Sequence, residues 1–271
     1  MRVLVTGSNS KLGAAIVAAL SANHEVRTLD LNAPATGPAP TFVGDPRDRD
    51  LAVQATSDCD AVVHLGPLID PSAPPHEVVD AATRGTYNLI TTANAASRFI
   101  LISTLRLFES YPQEWRVTEQ WAPRPTTEIA DLAPYLAECT VREVSRVMQL
   151  KGIALRLGEV VDDAAIAGQT PDPRWLHLDD AIQAVERALA FEERSNRTWE
   201  PPIKFPTNGW SVFHIVGGGK GTRFPLGQAG QEAFGYQPKH DLTSEAAPVP
   251  PRQREVQRLT GKLGATGRRV V

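Results

Sequence analysis

The stretch Val3-Leu4-Val5-Thr6-Gly7-Ser8-Asn9-Ser10-Lys11-Leu12-Gly13 constrains this chain more than any other. Val3–Val5 is a short β-branched run suited to a buried strand. Over Lys11–Leu20, the residues Leu12, Ile16, Val17 and Leu20 recur at helical spacing. A strand that enters a helix through a glycine turn has a physical consequence. Gly7 permits the tight turn, and Gly13 lets helix and sheet approach closely. The first N–H groups of the helix, at the positive end of its dipole, then face a diphosphate. Gly7, Asn9, Ser10, Lys11, Leu12 and Gly13 are therefore the candidate residues around that group. Ser10 stands where the pattern has its middle glycine. It is small and offers a hydroxyl to a phosphate, so the expectation is altered pyrophosphate packing with the site retained.

Short apolar runs and helical stretches alternate down the chain. Strands are expected over His24–Leu29, Thr41–Val43, Cys59–Leu65, Phe99–Ile102 and Ile153–Leu157. Helices are expected over Asp48–Thr56, Glu77–Ala96 and Tyr135–Leu150, with a long polar loop over 109–130. Such alternation implies parallel strands joined by right-handed crossovers. The fold class is α/β, a doubly wound parallel Rossmann sheet with a small C-terminal substrate-binding portion. After Gly158 the pattern loosens to a helix over Asp179–Leu189, a strand over Ser211–Val216, a turn over 217–221 and a short helix over Pro225–Phe234. The domain expectation is a core over 1–158, an interleaved portion over 159–243, and a Pro-rich, basic surface tail over 244–271.

Asp30 ends the second strand, seventeen residues after Gly13. That is close to the spacing of a carboxylate that accepts hydrogen bonds from an adenosine ribose. A carboxylate there repels a 2′-phosphate, and no Arg lies among the next fifteen residues. NAD is therefore expected over NADP, with Asp30 and Leu31 against the ribose. A net charge of -3 leaves no electrostatic case for nucleic acid or an anionic membrane. No apolar run reaches the length of a transmembrane helix. The N-terminal apolar run is too short for a signal segment, so a cytoplasmic location is expected. Cys59 and Cys139 match no disulfide framework and no zinc spacing, and no metal is expected.

Further motifs carry a resemblance. Gly44-Asp45-Pro46-Arg47-Asp48 follows the third strand, and Asp60-Ala61-Val62-Val63-His64-Leu65-Gly66 covers the fourth. Gly85-Thr86-Tyr87-Asn88-Leu89, Trp175-Leu176-His177-Leu178-Asp179-Asp180-Ala181 and Phe213-His214-Ile215-Val216-Gly217-Gly218 follow in order. With the Thr6–Gly13 turn, these stretches resemble the extended short-chain dehydrogenase/reductase proteins, the NAD-dependent epimerase/dehydratase group, over about residues 1–240. Lys11–Ile16, His64–Gly66 and Phe234–Pro238 are similar to the uronate dehydrogenases within it. The resemblance implies that Asp45 and Pro46 meet the adenine. It also implies that Leu65, Gly66, Pro67, Ile102 and Ser103 line the cofactor, and that His64 is structural.

The resemblance further implies a Ser/Thr, a Tyr and a Lys four residues after the Tyr. Thr104 takes the position that orients the substrate oxygen, and Tyr135 takes that of the general acid/base, beside the cofactor. Leu105, Arg106 and Arg174 are the candidate substrate residues, and Trp115 and Trp121 either line a cleft or cover the sheet. The fourth residue after Tyr135 is Cys139, a neutral thiol in place of the Lys. An unperturbed Tyr titrates near 10, so only on the order of a thousandth is phenolate at pH 7 without a cation nearby. Arg142, about 10 Å up the helix, and Arg106 are the cations available. Arg156, inside an apolar strand, suits an ion pair as well as an anionic substrate. Two readings follow: an oxidoreductase moving a hydride between NAD and a sugar or sugar-acid-like substrate, and an NAD-binding protein with impaired catalysis. A nucleotide-sugar epimerase or dehydratase ranks third, because little chain after residue 158 is left for a nucleotide site. The long helices 77–96 and 135–150 are the expected homodimer face.

Overall fold

The computed structural model describes residues 1–34, 40–67, 72–94, 97–148, 150–191, 209–218, 223–232 and 234–242. The expected tail over 244–271 lies outside the described residues, as does part of the 217–221 turn. Seven strands form one sheet: β1 (Arg2–Thr6), β2 (Glu25–Asp30), β3 (Thr41–Val43), β4 (Ala61–His64), β5 (Arg98–Thr104), β6 (Lys151–Leu157) and β9 (Trp210–Ile215). Their order is β3-β2-β1-β4-β5-β6-β9, and every pairing is parallel. The order reverses at β1, which pairs with β2 on one side and β4 on the other. In doubly wound sheets the crevice at such a reversal is where ligands bind.

The inner strands read as continuous apolar runs because both faces are covered. One face packs on α1 (Lys11–Leu20) and α7 (Leu178–Ala190), burying Val3, Val5, Ile16, Leu20 and Val185. The other face packs on α2 (Arg49–Thr56), α4 (Thr86–Thr92) and α5 (Ile129–Met148), burying Leu4, Leu29, Leu89, Phe99 and Val141. A third cluster sits beyond the end of β5, around Leu105, Leu107, Phe108, Tyr111 and Val117.

Several elements depart from the sequence-based expectation. The helix expected over Glu77–Ala96 begins two residues earlier, as α3 (Pro75–Asp80), and α4 ends at Thr92. Between α3 and α4 the backbone widens into a π-turn over Ala81–Gly85, where Gly85 lies against Pro46. Residues 95–96 of that expected helix lie outside the described residues. The helix expected to open at Tyr135 begins at Ile129 and runs through Pro134. A proline suits the first helical position, but here a turn of helix precedes it, and it forgoes one backbone bond. The chain has also left the helix before Leu150, the expected last residue. The helix expected over Pro225–Phe234 is a series of turns among its described residues. Two short strands, β7 (Glu159–Val161) and β8 (Trp175–His177), form a small parallel sheet, with α6 (Asp163–Ile166) between them. Three-residue strands carry too little periodicity to be read from sequence.

A buried ion pair ties α5 to the sheet. Arg156 on β6 donates from Nη2 and Nε to both carboxylate oxygens of Glu138, at 2.7 and 2.9 Å. Ser103 on β5 donates to the same carboxylate at 2.5 Å. Arg156 and Glu138 are each only 4% exposed, so the pair is desolvated, and removing one partner strands the other charge. The Arg156 guanidinium also lies 5.0 Å from the centre of the Phe108 ring. This settles Arg156 as a structural ion-pair residue. Glu138→Leu alone should cost about 3–5 kcal/mol in denaturant unfolding, and adding Arg156→Met should recover most of that loss. A double variant no more stable than the single one would show that the pair does not act as a unit.

Candidate active site

The β1–α1 turn has the close geometry that its glycines suggest. Gly7 has φ 74° and donates its N–H to Leu29 O at 3.0 Å. A Cβ on Gly13 would lie 2.1 Å from Gly7 O, so no side chain fits there. Ser10 caps α1: its Oγ accepts from Gly13 N–H at 3.0 Å and donates to Gly7 O at 2.8 Å. The hydroxyl expected to face a phosphate is therefore turned into the loop, where it braces the turn that a middle glycine would leave open. Lys11 and Leu12 supply the next amides at the helix end, which have no intrahelical carbonyl to meet. The Lys11 ammonium pairs with Asp162, just after β7.

Asp30 closes against this turn. Its Oδ2 accepts the Asn9 N–H at 2.9 Å and its Oδ1 accepts the Leu31 N–H at 2.8 Å. The Asn9 side chain donates to Asn32 O at 2.8 Å. The carboxylate is thus held against the β1–α1 turn, with its second lone pairs left for hydroxyl donors. At the end of β4, Gly66 is buried at φ +102°, with open space where a Cβ would stand. Leu65 and Pro67 flank it, half-buried. The cradle fits a dinucleotide: amides at a helix end, a fixed carboxylate and a glycine floor.

The adenine side differs from expectation in one respect. Asp45 accepts from Arg47 Nε at 2.7 Å and from Arg47 N–H at 2.8 Å. Arg47 also lies 3.7 Å from Glu77 and 3.4 Å from Asp80. The Asp45 carboxylate is therefore committed to its own loop. Asn88, unassigned in the sequence reading, holds that loop by donating to Pro46 O and Arg47 O, both at 3.0 Å. His64 bridges Thr6 at 2.7 Å and Thr86 at 3.1 Å, and full burial lowers its pKa to about 3. It is a neutral structural group.

Thr104 closes β5, and its Oγ1 accepts the Arg106 N–H at 3.2 Å, capping the short turn Leu105–Phe108. Ile102 is half-buried, and Ser103 is buried on Glu138. Tyr135 is half-buried against the aromatic cluster. Its hydroxyl is harder to ionise than usual, chiefly through the neighbouring Cys139, by charge and by hydrogen bonding, then through burial. Arg142 acts in the opposite sense and is outweighed. Arg142 itself donates to Glu143 at 2.9 Å.

The substrate-side residues fall differently. Leu105 is 6% exposed and belongs to the third cluster, which corrects its expected place in the cleft. An apolar side chain at the start of a tight turn is drawn under it. Arg106 donates to Asp131 at 2.8 Å, and that buried carboxylate also accepts from Thr126 at 2.6 Å. Arg106 does not act on Tyr135, being occupied one helical turn away. Arg174 grips Asp172 with contacts of 2.6–3.1 Å while remaining largely exposed. Trp121 meets Tyr111 edge-on at 5.0 Å and Trp115 at 5.6 Å, so the tryptophans cover the aromatic cluster that abuts Tyr135. Asp131 and Glu138 were missed because a buried acid's partner lies far off in sequence. Their only local signal was an acid on the apolar face of a helix.

The NAD dependent epimerase/dehydratase family model matches residues 3–163. The chain belongs to this family. Within it, the chain is similar to the L-arabinose 1-dehydrogenase (NAD(P)(+)) of Haloferax volcanii, 31% identical over 132 residues, or 48% of this chain and 49% of that protein. The chain thus matches about half the length of that curated relative. Among solved structures, the uronate dehydrogenase of Agrobacterium tumefaciens superposes with TM-score 0.69 at 22% identity, covering 92% of this chain and 91% of that one. Glucuronic acid dehydrogenase from Chromohalobacter salexigens gives 0.68 at 20% identity, covering 95% and 88%. UDP-glucose 4-epimerase from Thermotoga maritima gives 0.66 at 17% identity, covering 97% and 100%. At these identities the superpositions establish the Rossmann fold that this epimerase/dehydratase chain shares with dehydrogenases and epimerases alike.

The turn geometry makes a direct prediction. Gly13→Ala should lower dinucleotide affinity more than tenfold in a fluorescence titration with NADH, because its Cβ meets Gly7 O. Ser10→Gly, which only exchanges one acceptable cap for another, should stay within a few-fold of wild type. Equal affinities for Gly13→Ala and wild type would mean that the turn does not contact the ligand.

Proposed function

We propose that this chain is an NAD-dependent oxidoreductase acting on a small sugar or sugar-acid-like molecule, with Tyr135 and Thr104 at the reacting centre. The observation that carries the cofactor half is the Asp30 carboxylate, locked by Asn9 and Leu31 N–H at the ribose position. Arg47, in the loop after β3, is engaged by Asp45, so its guanidinium is not free to meet a 2′-phosphate. The arabinose 1-dehydrogenase relative supports a sugar-like substrate. We place the protein in the cytoplasm as a homodimer, packed through α4 and α5, where Tyr87, Val147 and Met148 are exposed.

Bound NAD supplies the hydride acceptor, or NADH the donor. The chain supplies the proton chemistry. Thr104 orients the substrate oxygen at the end of β5, and Tyr135 holds or gives the proton at that oxygen. With no lysine at 139, the phenol stays protonated through neutral pH. A protonated phenol suits reduction, in which it gives a proton to the developing alkoxide. Oxidation needs the phenolate and is confined to alkaline pH.

A specific observation favours a second reading, a catalytically impaired NAD-binding sensor or partner subunit. The group that would acidify Tyr135 is replaced by one that does the reverse. An epimerase or dehydratase of nucleotide sugars stays third.

Four measurements test these readings. Asp30→Asn should weaken NAD binding roughly tenfold to a hundredfold, the range for losing hydrogen bonds to a charged group, and narrow any preference over NADP. Sugar oxidation by wild type should rise with pH to beyond 10, because the raised pKa delays phenolate formation. Cys139→Lys should move that rise downward and increase the rate at pH 7. Activity in Cys139→Lys with none in wild type at any pH, in either direction, would establish the impaired reading. Turnover that survives Tyr135→Phe undiminished would overturn the assigned role of Tyr135.

A further inference from the structure

Away from the reacting centre, three potential metal ligands converge. His177 ends β8 and caps α7, Asp179 is in the first turn of α7, and His240 comes from the last described segment. One ligand atom from each lies within 4.8 Å of the other two. The two imidazoles stack, with ring centres 3.7 Å apart and planes 26° apart. We propose that His177, Asp179 and His240 bind one divalent transition-metal ion of the zinc class, with Asp163 and Asp180 as outer carboxylates.

Three observations carry this beyond a chance cluster. First, His177 is only 3% exposed, so an ion held on it would be shielded from bulk water. Second, each imidazole has a carboxylate behind it. Asp180, fully buried, lies 3.2 Å from His240 Nδ1 and also accepts the N–H groups of Lys239 and His240. That leaves His240 Nε2 for a metal. Asp163 Oδ1 lies 3.4 Å from His177 Nε2, which leaves Nδ1, 3.8 Å from Asp179 Oδ2. A carboxylate on the far nitrogen is how proteins orient metal-binding histidines. Third, three carboxylates face two imidazoles, a charge balance that suits a dication even at a helix N-terminus.

Binding requires the two rings to rotate out of their stack, because each nitrogen lone pair lies in its own ring plane. Metal–nitrogen and metal–oxygen bonds of about 2.0–2.2 Å in a tetrahedron set ligand atoms about 3.4 Å apart. The cluster must therefore close by little more than an ångström, and the metal replaces the long 3.2 Å bond from Asp179 N–H to His177 Nδ1. Imidazole with carboxylate suits zinc, cobalt or nickel over calcium or magnesium. The ion would clip the 234–242 segment to α7. Asp162, beside Asp163, pairs with Lys11, so the clip also reaches the dinucleotide turn. None of this depends on the redox reading.

The test uses the full, tag-free chain, stripped with a chelator and held in a non-coordinating buffer. Calorimetric titration with zinc chloride should give one equivalent bound, with a higher Tm. Cobalt(II) should give the visible d–d absorption of a low-symmetry nitrogen/oxygen site. His240→Ala and the milder, exposed Asp179→Asn should each weaken zinc binding at least tenfold and abolish the cobalt spectrum, while binding NADH as wild type does. No stoichiometric uptake by wild type, or equal uptake by wild type and both variants, overturns the site.

Discussion

The structure depends on the fit of one turn into one strand end. β1 is hydrogen-bonded on both sides, so Gly7 leaves the sheet at the point where the strand order reverses. There it meets two constraints. Its carbonyl packs against Gly13 with no room for a Cβ, and its N–H is fixed to Leu29. The second constraint brings the end of β2, and with it Asp30, beside Asn9. Helix dipole, free amides and carboxylate then converge without further help, because the parallel register leaves each strand's carboxyl end on the same edge of the sheet.

The end of the sheet near Tyr135 and Thr104 is built on a different principle. Tyr135 and its helix are held to the sheet by a buried ion pair, Glu138–Arg156, with Ser103 donating to the same carboxylate. Such a pair adds little net stability compared with apolar packing, but breaking it is costly. It therefore acts as a register pin, fixing the rotation of α5 against β5 and β6. The electrostatic environment of the phenol is a separate matter, governed by Cys139 and only weakly by Arg142. The placement of the Tyr135 side chain and its acidity thus have separate causes: the ion pair holds its helix, and Cys139 keeps its hydroxyl harder to ionise than usual.

The charged groups once considered for substrate are mostly occupied within the chain. Arg106 is held by the buried Asp131, Arg156 by Glu138, and Arg174 by the more accessible Asp172. Arg106 and Arg156 cannot turn to a ligand without stranding a buried carboxylate. Arg174 can, because both it and its partner reach solvent.

Much of this was legible in the sequence. The strand–glycine–helix stretch and the alternation of apolar runs with helical patterns determined a parallel Rossmann sheet, and the spacing to Asp30 brought that carboxylate beside the turn. These signals are local, and the geometry they impose is local too. The Tyr135/Cys139 departure was equally visible, because a helix brings residues four apart onto one face. What only the tertiary structure decided is which side chains are already spoken for. The inward turn of the Ser10 hydroxyl, the capture of Asp45 by Arg47, the burial of Leu105 and the long-range partners of Arg106 and Arg156 are examples. The meeting of His177 with His240 belongs with them, since sixty-two residues of chain separate the two rings. Periodicity records which face of an element is buried. It does not record the partner across the gap, and for a charged or titratable group that partner determines its chemistry.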